Sequence, residues 1–311
     1  MVDIALLGTG GMMPLPNRFL TSMLCRIDGS MLLVDCGEGT QVTLKQLGWG
    51  FKNIDMICFT HYHADHISGL PGLLLAIGNS ARTEPLTLVG PPGLRSVVNG
   101  LTVITPALPF ELVLCEYPFK IRETIEIAEQ PAVSAEYRLF ALGADHGIPC
   151  FSYSVELRRK GKFDLVRAEK LNLPRQFWKE LQNGESVSYN GETFTPSMVM
   201  GNERRGIKVT YSTDTRPIGA ISKFAENSDL FICEGLYGDN DNDEKAAAYR
   251  HMTFREAATL AKNANADELW LTHYSPSLTN PPAFLQNATS IFPNTLTGKD
   301  RMTKTIVFRE E

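Results

Sequence analysis

Thr60-His61-Tyr62-His63-Ala64-Asp65-His66 places three imidazoles and a carboxylate within six positions, directly after the apolar run Met56-Ile57-Cys58-Phe59. Imidazole nitrogen and carboxylate oxygen are ligands that zinc and manganese accept. If the chain is still extended there, His61 and His63 point the same way, whereas Asp65 and His66 must turn away. Two ligand pairs facing different directions imply two metal ions. A solvated polar loop has no need of histidine at this density. The chain holds six histidines, and the other three, His146, His251 and His273, each stand beside a predicted element end. That confinement favours one composite site.

The elements that must position these residues read from periodicity and turn chemistry. Ile4–Leu7 opens as a strand and ends in Gly8-Thr9-Gly10-Gly11, a turn rather than a phosphate cradle, because no helix with a Lys-Ser/Thr start follows. Ser22–Ile27 and Ser30–Asp35, joined at Asp28-Gly29, form a hairpin signal. Asp35-Cys36-Gly37-Glu38-Gly39-Thr40-Gln41 leads into a helix with Val42, Leu44 and Leu47 as its apolar side, which Gly48 ends. Leu86–Val89 reads as a strand, and Gly90-Pro91-Pro92-Gly93-Leu94 as a turn with proline at a helix start. From Phe110 to Leu142, alternating segments such as Glu136-Tyr137-Arg138-Leu139-Phe140 predict strands that complete the first half of a layered fold. His146 follows them.

Later strands at Phe151–Val155, Lys208–Ser212, Leu230–Cys233 and Glu268–Thr272 deliver Asp214, Glu234 and His273 to strand ends. A helix over Thr253–Lys262 carries Thr253 as N-cap and Glu256 three residues on, a capping box, with His251 just ahead of it. Between Arg158 and Gly184 the chain changes character: it is charged, broken by Gly161 and Pro174, and helical in the middle. That stretch reads as an inserted arm. It carries Arg158, Arg159, Lys160, Lys162, Arg167, Lys170, Arg175 and Lys179 against only Asp164, Glu169 and Glu180.

The whole chain, by contrast, is mildly acidic, with a formal charge of −5, 43% apolar and 21% charged residues. This is a globular composition, and a polyanionic partner would need a local basic patch. Cysteines 25, 36, 58, 115, 150 and 233 lie in apolar segments with no Cys-x-x-Cys pair, as expected of reduced core thiols in a cytoplasmic protein. Met1-Val2-Asp3-Ile4 lacks the basic start of a signal peptide and no apolar run reaches bilayer length, so no membrane partner is expected.

The His-x-His-x-Asp-His string resembles the signature of the metallo-β-lactamase superfamily. Asp35–Gln41, Gly69-Leu70-Pro71-Gly72-Leu73-Leu74, the Asn17-Arg18 pair and Thr213-Asp214-Thr215-Arg216-Pro217 are similar to strings of its ribonuclease Z branch, which processes the 3′ end of transfer RNA. The resemblance implies an α/β, four-layer αβ/βα metallo-β-lactamase fold, a single catalytic domain over 1–311 with an inserted arm at 158–184 that binds RNA. It implies that His61, His63 and His146 hold one divalent ion, Asp65, His66 and His273 a second, and that Asp214 bridges them. Zinc is expected, with manganese as the alternative. Asp65 also takes a proton from the attacking water, and Glu234 and His251 match a family pair in which the histidine serves the leaving oxygen and the glutamate orients it. The implied partners are precursor transfer RNA and a second copy of the chain.

Departures from the family pattern fall outside the metal residues. Tyr62 and Ala64 stand within the signature, Cys233-Glu234-Gly235-Leu236 replaces His-Glu-Ala-Thr, and Ser275-Pro276-Ser277-Leu278 replaces Ser-Pro-Arg-Tyr. The arm has Asn172–Trp178 instead of a Gly-Pro-rich tip, with Phe177 and Trp178 available to stack on a base. The alternative reading is a hydrolase of the same fold acting on a small phosphodiester, sulfate ester or lactone. A di-iron redox module is disfavoured, because such relatives carry Glu where His63 stands.

Overall fold

The computed structural model describes residues 1–127 and 137–310. Contacts divide the chain into two units, 1–156 with 207–307, and 157–206 with 308–311.

The first unit is built on two seven-stranded sheets. One contains β1 (Val2–Gly8), β2 (Ser22–Ile27), β3 (Ser30–Val34), β4 (Ile54–Cys58), β5 (Leu86–Gly90), β6 (Leu112–Glu116) and β16 (Thr303–Ile306), in the order β16-β1-β2-β3-β4-β5-β6. The other contains β7 (Thr124–Glu126), β8 (Tyr137–Gly143), β9 (Phe151–Arg159), β12 (Arg204–Ser212), β13 (Leu230–Glu234), β14 (Leu269–Thr272) and β15 (Thr295–Thr297), in the order β15-β14-β13-β12-β9-β8-β7. The β2–β3 hairpin closes on Asp28 (φ +48°) and Gly29 (φ +89°), both left-handed as a two-residue type I′ turn demands. Beyond the hairpin, β3, β4, β5 and β6 run parallel, as do β12 to β15.

The segment from Phe110 to Leu142 does not complete the first half. β6 pairs parallel to β5 at the edge of the first sheet, whereas β7 and β8 pair antiparallel in the second. Glu136, in the predicted strand, lies outside the described residues.

Helices α1 (Thr40–Leu47), α2 (Ala64–Ile67), α3 (Leu70–Gly78) and α4 (Leu94–Thr102) follow the first sheet's strands, and α7 (Gly219–Phe224), α8 (Asp243–Tyr249), α9 (Phe254–Asn263) and α10 (Gln286–Thr289) those of the second. Strand alternation shows how the layers stack. Ala5, Leu7, Leu33, Ile57 and Phe59 form one core with Leu44, Leu73, Leu74 and Val98 of α1, α3 and α4. The intervening Ile4, Leu6, Leu32, Val34 and Met56 point the other way and are just as buried. In the second sheet Phe231, Cys233, Leu269 and Leu271 face α7, α9 and α10, while Leu230, Ile232 and Trp270 are buried on the opposite face. Two sheets, each helix-covered on one side and dry on the other, bury their free faces against each other. Tyr153 Oη donates to Phe59 O at 2.8 Å and Phe151 N to Thr60 O at 2.9 Å across that interface.

Two local expectations change. The buried stripe of α1 is Thr40, Thr43 and Leu44, with Val42 exposed, because positions three and four apart share a face and Val42 lies roughly opposite Leu44. Pro91 and Pro92 shape the turn and do not enter α4, which starts after Gly93 at φ +105°.

The second unit contains α5 (Leu165–Lys170), α6 (Trp178–Asn183) and a hairpin of β10 (Val187–Tyr189) and β11 (Glu192–Phe194). The expected arm, 158–184, lies within it. Asp164 caps α5 by accepting from Arg167 N at 3.0 Å, and Gly184 ends α6 at φ +98°. Its core is Ala168, Leu173, Leu181, Val187, Phe194 and Val199. Phe177 and Trp178 are half-buried and pack against this core rather than standing free. Phe177 packs on Tyr189 at 5.5 Å, Trp178 on Phe163 at 5.6 Å, and Trp178 Nε1 donates to Leu173 O at 3.0 Å. A unit this small needs its aromatics to bury enough apolar surface.

Candidate metal centre

Strand ends set the site. Asp35 follows β3, His61 and His63 follow β4, His146 follows β8, Asp214 follows β12, Glu234 ends β13 and His273 follows β14, while Asp65 and His66 ride on α2. The carboxyl ends of parallel strands are where open α/β sheets bind ligands. Asp35, Asp214 and His273 are left-handed, at φ +59°, +51° and +57°. Each costs on the order of 1 kcal/mol, spent on turning the side chain as its strand ends.

The nitrogens of His61, His63 and His146 converge: His61 Nε2 and His146 Nε2 lie 3.0 and 3.2 Å from His63 Nδ1. Asp214 Oδ2 lies 3.7 Å from His61 Nε2 and 3.6 Å from His146 Nε2. On the other side, His66 Nε2 and His273 Nε2 are 3.1 Å apart, Asp65 Oδ2 is 3.6 and 3.4 Å from them, and Asp214 Oδ1 is 3.2 and 3.1 Å from them. One carboxylate thus presents one oxygen to each imidazole set. Bonds of about 2.0–2.1 Å in a tetrahedron imply ligand edges of about 3.3 Å, which these separations fit. Asp214 Oδ1 is buried with no hydrogen-bond partner among the described residues, an expensive state unless a cation shares the site.

Electrostatics agree. Burial pushes the imidazoles of His61 and His146 below their ordinary range, leaving lone pairs available at neutral pH. Burial opposes ionisation of Asp214 and Asp65, but the surrounding histidines outweigh it and hold both well below the usual carboxylate range. Burial also pushes His66 down, yet Asp214, Asp35 and Asp65 together raise it well above its ordinary value. The carboxylates that favour a proton on His66 would equally favour a cation in its place.

Asp35, quoted in the sequence reading without a role, supports the site by its hydrogen bonds. Its Oδ2 accepts from His66 Nδ1 at 2.8 Å, and its Oδ1 accepts from Thr60 N at 2.8 Å, so His66 presents Nε2 to the centre. Asp35→Ala is expected to weaken metal affinity by about 10–100-fold, measured by competition with a chromogenic chelator. Unchanged affinity would contradict this orienting role.

Glu234 and His251 come together as expected: His251 Nδ1 lies 3.1 Å from Glu234 Oε2. Glu234 is fully buried, and its carboxylate accepts from Thr215 N at 2.6 Å and Met252 N at 3.2 Å. His251 O accepts from the Arg216 guanidinium, which also pairs with Glu256, the capping-box residue of α9. His251 is therefore fixed at ring and backbone. Burial pushes its pKa down, but Glu234 outweighs that by charge and hydrogen bond, placing it at about 9. The acid form is present below that pH and lost as pH rises through it. Turnover is expected to fall on an alkaline limb near pH 9, which Glu234→Gln should move toward the ordinary imidazole value of about 6.5. A limb that stays in place would break the link between the two residues.

Fold and site together define a metallo-β-lactamase-fold divalent-metal enzyme. Among solved structures, the human tRNase Z short form is similar with a TM-score of 0.70 at 23% identity, over 98% of this chain and 100% of that one. The metallo-β-lactamase fold protein YhfI of Bacillus subtilis matches with a TM-score of 0.65 at 19% identity, over 97% and 98%. Ribonuclease Z of Lachnospira eligens is 52% identical over 311 residues, 100% of both chains, and that of Clostridium acetobutylicum 51% identical over 308 residues, 99% of both. The chain belongs to the ribonuclease Z family. Residues 2–98 also match a family model described as Anti-Pycsar protein Apyc1, a span that holds His61 to His66 but not His146, Asp214, Glu234, His251 or His273.

Proposed function

We propose that the chain is a zinc-dependent endoribonuclease that removes the 3′ trailer from precursor transfer RNA. The observation that carries this reading is the division of Asp214, with Oδ2 toward His61 and His146 and Oδ1 toward His66 and His273, beside a Glu234–His251 pair. Two zinc ions, one held by His61, His63 and His146 and one by Asp65, His66 and His273 with Asp214 shared, would supply an activated water and positive charge for the attacking and leaving oxygens.

The chain's own groups move the protons. Asp65, held ionised, accepts one from the attacking water, its Oδ2 fixed by Met12 N–H at 2.7 Å. His251, protonated at neutral pH, donates one to the leaving oxygen while Glu234 holds its Nδ1 side. No covalent intermediate is needed. The free cysteines fit a reducing cytoplasm, and no helix among the described residues is long and apolar enough to cross a membrane. The family resemblance supports a homodimer, which light scattering would test.

Grip on the RNA is assigned to the second unit, where 157–206 hold ten Lys and Arg against six Asp and Glu. Phosphate contacts from such a segment bind folded RNA without reading sequence, and are sensitive to salt. Lys160 and Glu203 are held close by Arg204 Nε on Lys160 O at 3.0 Å and Arg158 Nε on Glu203 Oε1 at 2.7 Å, so a short glycine-serine linker can replace 161–202. The replacement should abolish precursor cleavage and its steep salt dependence while hydrolysis of bis(p-nitrophenyl) phosphate stays near wild type. Undiminished precursor cleavage would remove the second unit as the binding element. One observation favours a second reading, hydrolysis of a small phosphodiester: Phe177 and Trp178 are half-buried against the second unit's own core. On that reading intact protein hydrolyses the small ester but leaves the precursor uncut.

A further inference from the structure

The loop after β1 lies against the metal centre by its backbone and turns Met12, Met13 and Pro14 to solvent. A Cβ on Gly11 would stand 2.6 Å from the His273 ring, so only glycine lets the chain pass there. Gly11 N–H donates to Tyr274 O at 3.0 Å and Met12 N–H to Asp65 Oδ2 at 2.7 Å. These bonds fix Met12 at the mouth of the site. Met12 adopts φ +68°, yet its side chain is 63% exposed, and that of Met13 is 57% exposed.

Neither feature serves the fold. Glycine would take that backbone conformation without strain, and an apolar side chain left in water adds no burial energy to the fold. Local rules broken without structural return are expected where a ligand supplies the compensation. A thioether on a flexible stem adapts to aromatic faces, and an unpaired nucleobase splayed from its helix is an aromatic face in need of a partner. Every base has such a face, so a methionine platform tolerates any sequence.

We propose that Met12 and Met13 form the platform on which the unpaired nucleobase flanking the scissile phosphate rests. The proposal deepens the RNA-processing reading and depends on it. The two methionines hold the base beside Asp65, and so bring the phosphate it carries to the attacking side of the centre.

The test is a cycle of two changes, one in the protein and one in the substrate. Met12→Gly/Met13→Ser keeps the Met12 amide bond to Asp65 and suits the backbone, and its metal content and melting temperature confirm the fold. Wild type and variant are assayed on a precursor transfer RNA, and on two versions made abasic immediately before or immediately after the cut. The variant should cleave the natural precursor about tenfold more slowly, near the upper end of sulfur–aromatic contact strength. Wild type should lose the same factor on one abasic substrate, where the variant loses nothing further. Independent, multiplying losses on both abasic substrates, or a variant as fast as wild type on the natural precursor, would overturn the platform. A wild-type protein that cuts no precursor overturns the RNA reading itself and the platform with it, and so the two failures are distinct.

Discussion

Asp214→Ala is expected to release both metal ions and bring hydrolysis to background. The carboxylate touches both imidazole sets through different oxygens, at 3.2 and 3.1 Å on one side and 3.7 and 3.6 Å on the other. Removing it would take a ligand from each ion, leaving only imidazoles at one set and Asp65 as the sole carboxylate at the other. Elsewhere in proteins, breaking a buried charged pair costs about 3–5 kcal/mol, and here the penalty falls on two ions. Elemental analysis of the purified variant is the check. Two tightly bound equivalents per chain would remove Asp214 from the bridging position.

His251→Ala should leave metal content and melting temperature near wild type and lower turnover on RNA by about 10²–10⁴-fold, the range of general acid–base contributions. The imidazole sits beside the metal residues, 3.9 Å from Asp214 Oδ2 at Nδ1, but that nitrogen is engaged by Glu234 at 3.1 Å. An alcohol oxygen leaves poorly without a proton, whereas p-nitrophenolate leaves readily. The loss should therefore be much smaller on bis(p-nitrophenyl) phosphate, and the alkaline limb near pH 9 should vanish with the ring. Near wild-type cleavage of an RNA precursor by this variant would return His251 to a structural role.

Four of the candidate metal residues, His61, His63, Asp65 and His66, were legible because coordination demands a rare residue type at tight spacing, which they carry within six positions. Asp214, Glu234 and His251, like the ligand role of His146, were legible only through family resemblance. By themselves Glu234 and His251 read as a strand-end carboxylate and a residue before a helix, and their 3.1 Å contact depends on how β13 and α9 pack. Asp35 meets His66 because β3 and β4 pair in parallel, a neighbour relation no local window contains. The same is true of the Met12 amide on Asp65, 53 positions apart. Left-handed conformations at Asp35, Asp214 and His273 leave no mark in composition, since they are imposed by the ligands the strands must aim.

In the second unit, a hairpin is legible in the sequence. Asn190-Gly191 between Val187–Tyr189 and Glu192–Phe194 is a two-residue hairpin turn, and the structure places both residues at positive φ, +52° and +83°. Phe177 and Trp178 looked available because their neighbours are charged. Their partners, Tyr189 and Phe163, come from either side in sequence and become visible only once the unit has closed.

The most direct measurement is to incubate the purified, metal-loaded protein with a 3′-extended transfer RNA and map the product ends at single-nucleotide resolution. The account predicts one endonucleolytic cut at the junction of the acceptor end and the trailer, lost in both Asp214→Ala and His251→Ala. An intact precursor under conditions where bis(p-nitrophenyl) phosphate is hydrolysed would contradict it, and would leave a small phosphodiester as the substrate.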